Sequence, residues 1–433
     1  MIDPRSRIRR VLLEDDTVAD PLDAIALAPG EPAFYWRSDS RDIEIAALGA
    51  VATVDADGKG RFDEASQAFA ALRANIDDVD GAWPLAVGGF AFDDGKPVAP
   101  WQGFPALRFF VPRVLWIREG GRRRMIVAYP AAREQTPREL LAIATDTAAY
   151  HDSATISPGE DCTHWSARVA AAVEAIREGR IEKIVLARRR TVEASSTPAA
   201  ETLVRALAEA RPSCFTFLVR WSGRTFLGSS PERLLRFDAG TIQADALAGS
   251  APRGLSRSHD DSLSRELFAS PKERREHRIV ADAIREALEP LAFEVEVASE
   301  PSVLTLPEAH HLHTPVRARV DISAGATLLD IAQRLHPTPA VCGAPRLEAC
   351  RQLAREEADR GWYGGAVGWI AGSGEGELAV ALRAALLGES CAHVWAGAGI
   401  VEGSSPEREY DETERKMRSI LPYFETSGDE CAA

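Results

Sequence analysis

Short apolar runs separated by turn signals fill the first 150 residues. Ala33-Phe34-Tyr35-Trp36 and Ile43-Glu44-Ile45 read as strands. So do residues 85–92, 111–117 and 124–128, the first as a fully buried strand. One break in this pattern is residues 64–76, where Phe69, Leu72 and Ile76 recur at helical spacing. Ser153, Ser157, Pro158 and Gly159 give residues 151–160 the composition of a linker. It divides a strand-rich N-terminal part, residues 1–150, from a second region, residues 160–425.

The second region opens with a helix whose stripe is Trp165, Val169, Ala172, Val173 and Ile176, with Gly179 at the C-terminal cap. Lys183-Ile-Val-Leu-Ala-Arg follows as a strand, and period two puts Lys183 on a face with Val185 and Ala187. A lysine among small apolar side chains is either a partly desolvated base or an edge lysine that blunts aggregation. Residues 215–219 and 225–228 form a hairpin around Ser222-Gly223. Glu232 then follows a turn, either as an acid at a strand mouth or as a turn carboxylate paired with Arg233. Residues 246–254 read as a small-residue loop, and Ser270-Pro-Lys-Glu273 as a capping box. That helix buries Ile279, Val280, Ala283, Ile284 and Leu288. Glu276, three and four residues earlier, shares the apolar side, where a carboxylate is costly unless paired or metal-bound.

His311-x-His313 has spacing that can bind a metal on a strand, but no further His/Cys set accompanies it, so one histidine aimed at a site is expected. Residues 336–345 form a rigid proline-rich loop. Residues 363–370 and 378–387 read as two strands joined by a turn at 372–376. Arg383 interrupts the second, and an arginine there wants an anion. Near the C-terminus, residues 396–401 read as a glycine-rich turn feeding a helix, with Ser405 as N-cap and Pro406 at the first position. Glu409, Glu412 and Lys416 share a face of it with Thr413 and Ile420. A turn of backbone N–H groups holds anions, and two carboxylates one turn apart hold a hard cation. The alternative is a solvated helix with an ordinary Glu412–Lys416 pair.

Composition narrows the partners. The 433 residues are 45% hydrophobic and 27% charged, with a net charge of -14. No basic stripe stands out, so nucleic acid is not expected. An acidic protein that binds an anion must place its cations locally or borrow a metal. Six cysteines are scattered without zinc spacing, which reads as free thiols in a reducing compartment. No secretory h-region follows the N-terminal arginines, and no apolar run reaches membrane-span length. A cytoplasmic protein with no membrane contact is expected.

Eight motifs occur together in one order. They are Lys183-Ile-Val-Leu-Ala-Arg, Gly228-Ser-Ser-Pro-Glu232, Ala246-Leu-Ala-Gly249-Ser, Lys272-Glu-Arg-Arg-Glu276-His, His311-Leu-His-Thr-Pro, the 336–343 loop, residues 363–368, and the C-terminal stretch from Ala396. In this the chain resembles the chorismate-utilising enzymes, a family that includes isochorismate, salicylate, anthranilate and aminodeoxychorismate synthases. The resemblance covers the C-terminal two-thirds and is loose before it. The His336-Pro-Thr-Pro loop is most similar to the isochorismate synthases. Ala248 stands where aminodeoxychorismate synthases carry a nucleophilic lysine, so a covalent route looks closed.

The resemblance implies an α+β fold, with two large mostly antiparallel sheets packed face to face and helices outside. It implies an isomerase that converts chorismate to isochorismate with Mg²⁺. In it Lys183 would be the base for water attack at C2, and Glu232 the acid at the leaving 4-hydroxyl. His311 would lie near the ring carboxylate. Glu276 and Glu412 would ligate Mg²⁺, and Glu409 would hold it through water. Arg383, Tyr363, Gly397 and Lys416 would contact the substrate carboxylates, and Gly249 would line the pocket. No glutaminase subunit is expected. Salicylate synthase, anthranilate synthase component I and a non-catalytic chorismate-binding protein stand as alternatives, and the product's destination, menaquinone or a catechol siderophore, stays open.

Overall fold

The computed structural model describes residues 7–13, 20–77, 84–131, 154–157, 159–194, 198–357 and 360–424. Arg5 of the N-terminal arginines, Ser153 and Pro158 of the expected linker, and Cys431 lie outside them. The first row of strands runs Lys183–Ala194, Cys391–Ile400, Ala384–Leu387, Arg224–Ser230, Phe215–Trp221, Ala33–Ser38, Ile43–Ala56 and Leu107–Glu119. The second runs Pro84–Phe90, Ala366–Ala371, Gly376–Val380, Arg233–Asp238, Thr241–Pro252 and Ala309–Val320. The long strand Leu107–Glu119 belongs to both. Its start pairs with Pro84–Phe90, and its end with Arg122–Pro130. Apart from the short parallel pairing of Ile8–Leu13 with Ile76–Asp77, the pairings among the described residues are antiparallel.

The two rows pack face to face over aromatic side chains. Phe34, Trp36, Phe217, Phe226 and Trp395 of the first row meet Val367, Trp369 and Ala379 of the second in one buried cluster. A second cluster joins Ile184, Leu186, Ala398 and Ile400 to Leu234, Ala244, Ala246 and Val316. Helix Pro271–Leu288 buries Val280, Ile284 and Leu288 of the expected stripe into that cluster, while Ile279 and Ala283 are only half-buried. The fold is the α+β arrangement that the resemblance implies.

Two local differences from the sequence reading lie where small residues occur. Residues 246–252 are not loop but the end of strand Thr241–Pro252, bulged at Gly249, whose φ is +76°. Residues 396–400 are not a turn but the end of strand Cys391–Ile400, and the turn begins only at Val401. Glycine here marks close approach of neighbouring groups rather than a reversal of the chain. The 378–387 strand is two strands, broken at Arg383, whose φ of 49° is left-handed. The capping box is half formed. Ser270 accepts from the Glu273 N–H, but the Glu273 carboxylate turns away to accept from the Ser250 N–H at 3.1 Å.

Candidate active site

Lys183 opens strand Lys183–Ala194 and is 1% exposed. Its ammonium lies 3.0 Å from the buried Glu276 carboxylate, which reaches down from helix Pro271–Leu288. Neither residue is the isolated group that sequence alone suggests; each satisfies the other. Gly399 makes this possible. A Cβ there would sit 2.2 Å from Glu276 Oε1 and 3.1 Å from Lys183 Cε, so any side chain would split the pair. The strand itself is held by a buried network. Glu357 accepts from the Ala187 N–H at 2.7 Å and from Arg168, and Arg360 donates to the Val185 and Val341 carbonyls.

Glu232 sits between strands Arg224–Ser230 and Arg233–Asp238 and is 2% exposed. Arg233 does not pair with it, but with Glu377 at 3.0 Å and Asp245 at 3.5 Å. Glu232 Oε1 is buried without a hydrogen-bond partner. Burial, and then the nearby Asp245 charge, push its carboxyl up to about 8; Lys183, Arg383 and Lys416 pull the other way and lose. At neutral pH it carries a proton it can give.

His311 stands across the cavity on strand Ala309–Val320. Its Nε2 lies 3.3 Å from Arg383 Nη2, and its Nδ1 3.3 Å from the Gly249 carbonyl. A guanidinium only donates, so Nε2 is the acceptor and the proton rests on Nδ1. Burial, and then Arg383, hold the imidazole down at about 3, so it is neutral. Arg383 is itself fixed by Glu308 at 3.0 Å. Lys416 donates to the Gly397 carbonyl at 2.8 Å and to Glu412 at 2.6 Å. Arg383 and Lys416 thus bring positive donors to the cavity for an anionic guest, with the neutral His311 holding Arg383 in place.

The carboxylates form the other wall. Glu273, Glu276, Glu409 and Glu412 influence one another's charge from two helices, Pro271–Leu288 and Pro406–Met417. Burial, then Glu412, push Glu409 up to about 7. Burial, then Glu276, push Glu273 up as well. Lys272, 3.2 Å from Glu409, and the lysines 183 and 416 compensate only three of the four charges. The excess favours a further cation. Among the described residues no group of three or more His, Cys, Asp and Glu side chains is arranged to hold a metal. A pair of carboxylates completed by water and ligand oxygens is nevertheless the usual Mg²⁺ site, so this donor set fits that ion. His313 is excluded from such a role, being paired to Asp245 at 3.1 Å.

Lys183, Glu232, Gly249, Glu276, His311, Arg383, Gly397, Glu412 and Lys416 all line one cavity. Tyr363 and Glu409 do not line it. Tyr363 stacks on Trp395 behind Gly397, and Glu409 lies behind Glu412 toward Lys272. Sequence reasoning missed Glu273, whose quoted motif begins one residue before it, and Gly399, Pro231 and Ala340, which carry no chemical signal of their own.

The family model described as chorismate binding enzyme matches residues 6–425. The chain belongs to this family. A relative named salicylate biosynthesis isochorismate synthase, from Pseudomonas aeruginosa, is 33% identical over 95% of this chain and 90% of its own. The Bacillus subtilis protein named isochorismate synthase MenF is 30% identical over 90% of this chain and 87% of its own. Among solved structures, Escherichia coli MenF, described as a menaquinone-specific isochorismate synthase, superposes with a TM-score of 0.79 at 26% identity, over 97% of this chain and 95% of that one. In this chain the cavity lies where strands of both sheets meet helices Pro271–Leu288 and Pro406–Met417.

Proposed function

We propose that this protein is an isochorismate synthase, a Mg²⁺-dependent enzyme that moves the hydroxyl of chorismate from C4 to C2. The observation that carries the proposal is one cavity holding the Lys183 amine and a Glu232 carboxyl raised to about 8. Lys183, which must first lose the proton it carries in the pair with Glu276, takes a proton from the water that attacks C2. Glu232 gives its proton to the departing C4 oxygen, so water enters and water leaves without net hydration. Each group of this kind typically supplies a factor of roughly a hundred to ten thousand. Arg383 and Lys416 bind the substrate carboxylates, and neutral His311 holds its place beside the ring carboxylate. Gly249 fixes the His311 tautomer through its carbonyl. Tyr363 supports Gly397 from behind.

Glu276 and Glu412 would ligate Mg²⁺, with Glu409 holding it through water, and Glu273 adds to their charge. Bound there, the ion would supply positive charge for the ring carboxylate of a dianionic substrate. The protein works on this small molecule without a glutaminase subunit, in the cytoplasm, and residues 1–150 and 160–425 act as one catalytic unit. No helix among the described residues is long and apolar enough to cross a membrane.

Purified protein incubated with chorismate and Mg²⁺ should yield isochorismate by chromatography; its absence refutes the activity. Salicylate and pyruvate in the same sample would assign the protein to salicylate synthesis instead, and anthranilate formed with ammonia to anthranilate synthesis. Lys183→Ala and Glu232→Gln should each cost at least about a hundredfold in kcat with KM little changed. Near-normal rates would remove these residues from their roles.

A further inference from the structure

The loop at 336–345 and the helix Arg346–Glu356 bring Cys342 and Cys350 together behind Lys183. Their sulfurs are 3.1 Å apart, closer than two sulfurs in ordinary contact. A disulfide needs about 2.05 Å, so closure asks for a movement of about 1 Å. The loop is bonded to the strand that carries Lys183. The Val185 N–H donates to the Cys342 carbonyl at 2.7 Å, and Gly343 and Ala344 pair with Ile184 and Lys183. The same loop places Ala340 in the wall of the cavity.

We propose that Cys342 and Cys350 are a reversible oxidation site, at which a hydroperoxide forms an intrachain disulfide that fixes this loop against helix Arg346–Glu356. The two thiols differ in the way such a site requires. Cys342 is fully buried, whereas Cys350 is only half-buried and can meet a small oxidant. The hydrogen bond from Cys342, then the Arg346 and Arg360 guanidiniums, hold the Cys350 thiol below its ordinary range, while Cys342 is pushed up. Cys350 is therefore the attacking thiolate. Its sulfur takes one oxygen of the hydroperoxide, the O–O bond breaks, and hydroxide or alkoxide leaves. The Cys342 thiol then attacks the sulfenic sulfur, the S–S bond forms and water leaves. Two thiols and one hydroperoxide give one disulfide, one water from the sulfenic acid and one further water or alcohol from the leaving oxygen, so the redox balance closes.

The test uses full-length protein reduced with dithiothreitol, desalted and exposed to a few equivalents of hydrogen peroxide. After alkylation, a non-reducing tryptic digest is read by mass spectrometry; cleavage at Arg346 separates the two cysteines. The expected result is a peptide containing Cys342 joined to one containing Cys350, lost again on dithiothreitol treatment. The oxidised protein should melt at a higher temperature than the reduced protein. Cys342→Ser should leave Cys350 as a sulfenic acid that dimedone captures, and Cys350→Ser should leave Cys342 unoxidised. Recovery of both cysteines alkylated after the peroxide is consumed would overturn the proposal. So would a linkage of either to Cys162, Cys214 or Cys391, or an unshifted melting temperature. The peptide map of the wild-type protein decides the chemistry even if a variant fails to fold.

Discussion

Glu232 ties the chemistry of the cavity to the stability of the fold. Its carboxyl is raised from 4.5 to about 8, so the folded protein holds a proton that the unfolded chain releases. A group raised in the folded state contributes fully below its unfolded pKa, and the contribution is lost as pH rises toward the folded value. Between pH 4.5 and 8 this carboxyl alone should lower stability by about 1.4 kcal/mol per pH unit. Across a shift of about 3.5 units, the sum is about 5 kcal/mol. Glu232→Gln keeps the shape of the protonated acid and removes the titration. The variant and the wild-type protein should therefore be about equally stable near pH 4.5, and the variant should lead by up to about 5 kcal/mol at pH 9. Urea unfolding of both proteins in steps from pH 5 to pH 9 measures this difference, and other titrating groups cancel in the comparison. A gap that does not grow with pH would refute the reasoning, and with it the claim that a neutral acid faces the substrate.

Turnover should follow the same proton: the rate should fall as pH rises through about 8, where Glu232 ionises; a rate that stays level through about pH 8 to 9 would contradict the protonated state of Glu232. Gly399→Ala should cost about a hundredfold in kcat/KM with circular dichroism unchanged, because the new methyl would displace the Glu276 carboxylate from Lys183; a fully active variant would mean that the pair is dispensable. Chelation should abolish turnover and Mg²⁺ should restore it, and Glu412→Gln should raise the Mg²⁺ needed for half-maximal rate by about tenfold or more; activity in the presence of chelator would remove the metal from the scheme.

Much of the fold was legible because apolar runs and turn residues agree with the structure. Ser222 and Gly223 both adopt positive φ, as a two-residue hairpin turn requires. Lys183, Glu232 and Glu276 stood out because each is a charge set in an apolar pattern. What stayed hidden depended on contacts between distant segments. Gly397 and Gly399 look like turn residues, yet they lie in a strand where the missing side chains leave room for Val185 and for the Lys183–Glu276 pair. Glu273 looks like a capping partner, yet the strand end at Ser250 captures it. Arg383 looks like a strand residue, but Glu308 and His311, more than 70 positions away, fix it at a strand break. No local pattern announces the Arg168–Glu357–Arg360 network either, because its targets are backbone groups.

The strand Leu107–Glu119 has a consequence for how the protein can be cut and how it can diverge. Residues before 131 cap both rows in mid-sheet: Ala33–Ser38 covers the edge of Phe215–Trp221, and Pro84–Phe90 covers the edge of Ala366–Ala371. A fragment that begins at the linker would keep every residue of the cavity and still expose two long apolar edges, each a template for another chain. The N-terminal segment therefore works as a clasp over the catalytic part. The clasp pairs through backbone groups and also fills the core between the rows with Phe34, Trp36 and Val87, so it can diverge only as far as that core allows.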